Sequence, residues 1–331
     1  MRQSAWPKLG RRAILLPLLL LVLNGCFLHM DVVEAPPATA KAELCKECHV
    51  NEYKEWKKSR HSKSYTSDYF RRQTDNYQVK KCLTCHSASP MYKADKLTVR
   101  TENVKEGVTC VTCHLTPDNN IGGPLFVLPA HFSEMMDPYY RDVELCGTCH
   151  KEHLEEYKKV KKTLTATKQK ELDTCQNCHM PTENRKLIVE GIMQYAHWAQ
   201  DTKKHTFEHA VPPKLEQEWI SINPTFKTTE KGFAISVVMS HQIPHSLPSG
   251  LFGFKAIDLV ISLKDHSGKT VDEQIQTFYV EEDRNLVYGK YFKKTYTFPV
   301  NQEAEYVEFK VNRRKNRIDF GRVIFKQRHR I

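Results

Sequence analysis

The amino-acid sequence predicts an α+β protein: mainly short helices and loops over residues 43–212, then a small β-sandwich over residues 213–331. Three observations carry this. The pentad Cys-x-x-Cys-His occurs five times, starting at 45, 82, 110, 146 and 175. The spacing leaves too little chain per motif for conventional hydrophobic cores. Beyond Val211-Pro212-Pro213 there is no further Cys, and the apolar period changes to two, as in strands with one buried face.

In chain order, residues 1–25 read as an export signal of the lipoprotein type. Arg2, Lys8, Arg11 and Arg12 form a basic start without an acid, and an apolar run from Ala13 to Leu23 follows. That run is short for a membrane span and suits a signal. Leu23-Asn24-Gly25-Cys26 resembles a bacterial lipobox, so Cys26 is the expected acylated N-terminus, with an uncleaved anchor or a plain signal as the alternatives. Several acyl chains give lasting anchorage. Phe27 rather than Asp after the Cys is, by resemblance to Gram-negative lipoproteins, the pattern sorted to the outer membrane. Residues 26–42 include Glu34-Ala-Pro-Pro-Ala-Thr-Ala40 and read as a tether.

The five motifs are Cys45–His49, Cys82–His86, Cys110–His114, Cys146–His150 and Cys175–His179. Each is an attachment signature for c-type haem. The thiols of Cys45 and Cys48, Cys82 and Cys85, Cys110 and Cys113, Cys146 and Cys149, and Cys175 and Cys178 add to vinyl groups. His49, His86, His114, His150 and His179 supply the proximal iron ligands. Chance would give about 0.02 such motifs in this composition. Five covalently bound haems are therefore expected, with short helices and loops wrapped on a haem stack and the porphyrins supplying buried apolar surface. Helices are expected over Asn51–His61 and from Glu152 to Lys159, with Trp56 and Tyr157 against porphyrin faces.

After residue 213, Phe233, Ile235, Val237 and Met239 alternate with small residues. Ile257, Leu259, Ile261 and Leu263 do the same, and Val307, Phe309 and Val311 alternate with Tyr306, Glu308 and Lys310. Asp265-His-Ser-Gly268 is a turn between two runs. Several short strands in this length fit a small β-sandwich.

The formal charge is +11. Without the four basic residues of the leader it is +7. Five haems with their propionates bring it to about +2 oxidised and about −3 reduced. The Lys/Arg excess balances propionates and is no sign of nucleic-acid binding. Runs such as Lys158–Lys162 and Arg313–Lys315 read as solvated faces.

The chain has 16 His. Five are proximal, His29 lies in the tether, His266 in a turn and His329 near the C-terminus, which leaves His61, His131, His153, His197, His205, His209, His241 and His245 as candidates for the second axial position. Such a surplus points to bis-His coordination. Four segments resemble the multihaem cytochromes typified by the tetrahaem electron acceptor of hydroxylamine oxidoreductase: Trp56-Lys-Lys-Ser-Arg-His61, Gly107-Val108-Thr-Cys110, Cys178-His179-Met180-Pro181 with His205-Thr-Phe207, and His245-Ser-Leu-Pro248-Ser249-Gly250. In that family, His at such positions reaches a haem bound elsewhere in the chain. The resemblance implies His61, His131, His205 and His245 as distal ligands, with His131 placed by its position between the third and fourth motifs, and it implies that the β domain donates one of them. The fifth falls to His197, His209 or His153, or one haem lacks an internal ligand.

An electron carrier is the expected function: exported, lipid-anchored, and working at the periplasm or outer-membrane surface in anaerobic-type respiration. Its partners would be a quinol- or dehydrogenase-linked donor and a downstream cytochrome or terminal acceptor. No catalytic residue is assigned, because Ser-His-Asp, phosphate-loop and nucleotide-cofactor patterns are missing. The family's pentahaem nitrite reductases replace one motif His by Lys, and here all five end in His. A reductase or oxidase of a small nitrogen or sulfur compound at one open iron is the enzymatic alternative. A filament with distal His donated between subunits is the structural one.

Overall fold

The computed structural model describes residues 36–127, 131, 133–207, 219–230, 232–250, 255–280, 284–299, 303–314 and 321–331. The expected leader, Cys26, most of the tether and His209 lie outside the described residues. The fold is α+β, with nine short helices and eleven strands among the described residues. None of these helices is long and apolar enough to cross a membrane. The chain divides into two compact units. One runs up to Arg141 and adds Thr182–Phe207; the other joins Asp142–Pro181 to the chain beyond Phe207.

The first unit contains α1 (Ala42–Lys46), α2 (Val50–Lys58), α3 (Asp68–Gln73), α4 (Lys80–His86) and α5 (Cys110–His114). Two short ribbons complete it. β1 (Ile121–Gly122) pairs in parallel with β2 (Ser133–Glu134), and β3 (Thr182–Arg185) pairs antiparallel with β4 (Gln200–Lys203). Its compact apolar cluster among the described residues is small: Ala40, Val111 and Leu115, with Ile121 against them. Polar contacts organise the rest. Arg100, 2% exposed, donates to Thr109 Oγ1 (2.6 Å) and to the carbonyls of Asn103 (3.0 Å) and Gly107 (2.9 Å). Gly107 itself has φ +71°, and a Cβ there would meet the His61 carbonyl at 2.5 Å. Only glycine fits such a turn without strain.

In the second unit, α6 (Val143–Gly147), α7 (Lys151–Lys161), α8 (Ala166–Glu171) and α9 (Cys175–His179) precede seven antiparallel strands. These are β5 (Ile220–Thr229), β6 (Gly232–His241), β7 (Ala256–Lys264), β8 (Thr270–Tyr279), β9 (Phe292–Phe298), β10 (Tyr306–Arg313) and β11 (Arg322–Arg330). They form a β5-β6-β9 sheet and a β11-β10-β7-β8 sheet. The inward side chains of both sheets meet in one core: Ile235, Val237 and Met239 of β6, Leu259 and Ile261 of β7, Phe298 of β9, and Val307, Phe309 and Val311 of β10. The alternation read from the sequence sets this face. The turn at Asp265–Gly268 closes as expected, with the Gly268 amide donating to the Asp265 carbonyl (3.0 Å) at φ +84°.

One feature departs from the one-faced pattern. Every residue of β7 is buried, including Asp258, Ser262 and Lys264, and so is Glu308 on β10. Polar and charged partners cover these groups. Arg314 Nε donates to Asp258 Oδ2 (2.6 Å), Ser262 to Glu273 (2.7 Å), and Lys310, Lys326 and Arg328 close on Glu308 at 2.8, 2.8 and 3.0 Å. Buried charge is tolerated only when paired in this way. Burial would raise the Glu308 carboxyl, but hydrogen bonds from Lys310, Lys326 and Arg328 outweigh it and bring it to about 2 from an ordinary 4.5. A carboxyl lowered on folding stabilises the protein above its unfolded value and loses that contribution as pH falls through the folded one. The loss therefore belongs to the window between pH 4.5 and about 2. Wild-type protein is expected to lose more thermal stability across that window than Glu308→Gln; equal losses would show that the cluster is not coupled to folding.

Candidate haem-binding centres

The Cys-x-x-Cys-His motifs sit in single helical turns. The third is α5 and the fifth is α9, while His49 and His150 end their motifs at the N-caps of α2 and α7. Positions i and i+3 share a helix face, so each motif aims both thiols the same way. Two pairs of motifs adjoin. The Cys45 thiol lies within hydrogen-bonding reach of Cys110, and Cys175 of Cys146. Cys110 is pushed well above the ordinary thiol value, first by that contact with Cys45 and then by burial. Both thiol pairs would be consumed as thioethers.

The proximal imidazoles are oriented from behind. His86 Nδ1 donates to the Ser64 carbonyl (2.9 Å) and His114 Nδ1 to the Gly122 carbonyl (2.7 Å). A carbonyl only accepts, so Nδ1 carries the proton and Nε2 keeps its lone pair for a metal, the usual support of a ligating His. Burial, with His131 next, lowers His49 to about 4. Burial and then His114 lower His205 to about 3. Both stand neutral at pH 7, the form that binds iron.

Across from three proximal rings stands a second imidazole. Ring centroids are 6.4 Å apart for His49 and His131, 6.1 Å for His114 and His205, and 6.4 Å for His179 and His245. Two imidazoles bound through Nε2 to one metal at about 2.0 Å each have centroids about 6.2 Å apart. These donor pairs therefore fit an iron between them. His245 Nδ1 is held by the Ser246 carbonyl (2.9 Å), again leaving Nε2.

The remaining candidates fall elsewhere. The His61 ring packs edge-on to Phe207 at 4.2 Å. His197 is buried and close enough to His49 to lower its pKa. His153 lies 5.7 Å from His150 and 6.2 Å from His245, with ring planes 89° and 75° from theirs, and against Gly250. His241 belongs to the β core, its Nε2 on the Leu286 carbonyl (3.0 Å). Among the described residues no imidazole faces His86; Phe70 stacks on it at 3.9 Å. Trp56 and Tyr157, expected against porphyrin, are buried and donate to backbone carbonyls of Val108 (2.7 Å) and of Leu172 (2.8 Å) and Asp173 (2.5 Å). Motif reading passed over Glu55, Glu156 and Ser64, which hydrogen-bond backbone groups at His205, Ser246 and His86; for the two glutamates a repeated Glu-aromatic-Lys-Lys run was the available signal.

Helical Cys-x-x-Cys-His turns, carbonyl-held proximal rings and opposed imidazoles define a multihaem c-type cytochrome. The comparisons point the same way. Residues 44–115, which hold the first three motifs, match the family described as "Cytochrome c554 and c-prime". The fold resembles the crystal structure of a penta-heme cytochrome c552 from Thermochromatium tepidum, with a TM-score of 0.60 and 17% identity, over 89% of this chain and 100% of that one. No curated protein matches the chain in sequence.

Proposed function

We propose that this protein is an exported electron carrier with five covalently bound haems, lipid-anchored at Cys26 and facing the periplasm or cell surface. It would relay electrons from a quinol- or dehydrogenase-linked donor to a downstream cytochrome or terminal acceptor. It would stand among the relatives of the tetrahaem acceptor of hydroxylamine oxidoreductase. The observation that carries the reading is the three opposed imidazole pairs at iron-sharing separation. Bound haem supplies the one-electron chemistry. The chain's own residues do the rest. His131, His205 and His245 would fill distal positions and keep water out, with His61 serving one of the others. Ser64 and Gly122 hold the proximal rings in the ligating tautomer. Iron held between two fixed imidazoles would change its surroundings little on reduction, which suits transfer over catalysis.

His86 supports a second reading. With Phe70 against it and no imidazole opposite among the described residues, the second motif would offer an open position for a small ligand, and one haem could act as a reductase site. Low-temperature electron paramagnetic resonance of the oxidised protein, with haem quantified, separates the two. Five haems that are all low-spin support the carrier. A high-spin signal perturbed by nitric oxide or small anions supports the open site.

A further inference from the structure

The helix after the first motif and the helix after the fourth carry the same run at the same offset. Glu55-Trp56-Lys57-Lys58 begins six residues after His49, and Glu156-Tyr157-Lys158-Lys159 six residues after His150. The structure gives both runs matching contacts. Trp56 Nε1 donates to the carbonyl two residues before Cys110, that of Val108. The Tyr157 hydroxyl donates to the carbonyl two residues before Cys175, that of Asp173. The motifs joined in this way are the two adjoining pairs, Cys45 with Cys110 and Cys146 with Cys175.

The glutamates complete the correspondence. Glu55 Oε2 accepts the backbone N–H of His205 (2.9 Å) and Arg185 Nη2 (2.9 Å). Glu156 Oε2 accepts the backbone N–H of Ser246 (3.2 Å) and the Ser249 hydroxyl (2.6 Å), on the segment that starts at His245. His205 faces His114 of the third motif, and His245 faces His179 of the fifth. In each unit, a glutamate on the helix of one motif grips the segment whose imidazole faces the adjoining motif. We propose that Glu55 and Glu156 are equivalent positioning residues, two copies of a carboxylate clamp that holds the distal imidazole of a neighbouring haem.

The proposal rests on the reading of His205 and His245 as distal ligands. Neither carboxylate touches the iron or the ring; each fixes the backbone that delivers it. Arg185 reaches both oxygens of Glu55 through Nη1 and Nη2, so the carboxylate that accepts the His205 amide is itself fixed in place. Loss of a supporting group of this kind weakens metal ligation by about 10- to 100-fold.

The test uses the full-length, haem-loaded protein and carbon monoxide as the probe of distal opening. Carbon monoxide binding to the reduced protein is followed by visible absorption, and spin state by paramagnetic resonance. Glu55→Ala and Glu156→Ala are each expected to speed carbon monoxide binding at one haem about tenfold or more. Glu55→Gln and Glu156→Gln, which retain an acceptor oxygen, should restore most of the wild-type behaviour. If Glu55→Ala does not fold, Glu55→Asp is read the same way, since it keeps the charge and shortens the reach. His205→Ala and His245→Ala mark full opening. If His205→Ala opens a haem while Glu55→Ala binds carbon monoxide no faster than wild type, the clamp is wrong and the ligand reading stands. If His205→Ala opens none, the ligand reading fails and the clamp with it.

Discussion

Replacing His245 with Ala is expected to convert one haem to the high-spin state while leaving covalent haem content at the wild-type level. The two effects separate because they come from different elements. Attachment would depend on Cys175, Cys178 and His179, all within one helical turn. The opposite ligand would come from a loop of the sandwich, where His245 stands 6.4 Å from His179 with the rings only 23° from parallel. Ala cannot reach iron, and the carbonyl that oriented the lost ring gives no replacement donor. Haem quantification with paramagnetic resonance of the oxidised variant checks this. A spectrum identical to wild type would remove the β-sandwich from the redox centre.

Phe309→Ala should be the most damaging single truncation in the sandwich, costing about 3–5 kcal/mol. Phe309 is fully buried at the centre of the inner face of β10, between Ile261 on β7 and Gln327 on β11. Its ring belongs to the same apolar cluster as Leu247 and Leu286, whose backbones exchange two hydrogen bonds of 2.8 Å. Leu247 lies two residues beyond His245, so a looser core also loosens the loop that delivers the imidazole. Equilibrium unfolding of wild type and variant measures the first effect. A loss below about 1 kcal/mol would mean that the core collapses into the space instead of leaving a cavity.

The strand faces were legible because alternation follows from the pleat, and the five motifs could be read as haem attachment sites because covalent chemistry dictates residue identity and spacing together. What stayed hidden was mostly long-range. Asp258 and Glu308 read as outward polar residues, and partners distant in sequence, Thr277 and Arg314 in one case and Lys326 and Arg328 in the other, help make their burial tolerable. His241 and His245 differ by four positions and look alike as candidates, yet one closes a hydrogen bond inside the sandwich and the other faces a motif. Which imidazole faces which motif is a property of tertiary packing. Local pattern could nominate His131 and His205 but could not pair them with His49 and His114. The register shared by Glu55 and Glu156 was visible all along, but its meaning needed the backbone groups they hold.

Each compact unit is built from two separated stretches of chain, and this bears on the order in which the protein can mature. Synthesis runs from the N-terminus. The third motif is complete well before His205 emerges, and the fourth and fifth motifs are both made in between. The first unit therefore has to wait, with the imidazole of His114 unopposed, while chain belonging to the second unit passes through. A nascent chain that stops at Pro181 would already carry every attachment sequence and still lack the β3–β4 ribbon, Arg185 and His205. On the proposed reading, haem loading and completion of the iron coordination would be separate events in the life of this chain, and the length made so far would decide how far one can run ahead of the other.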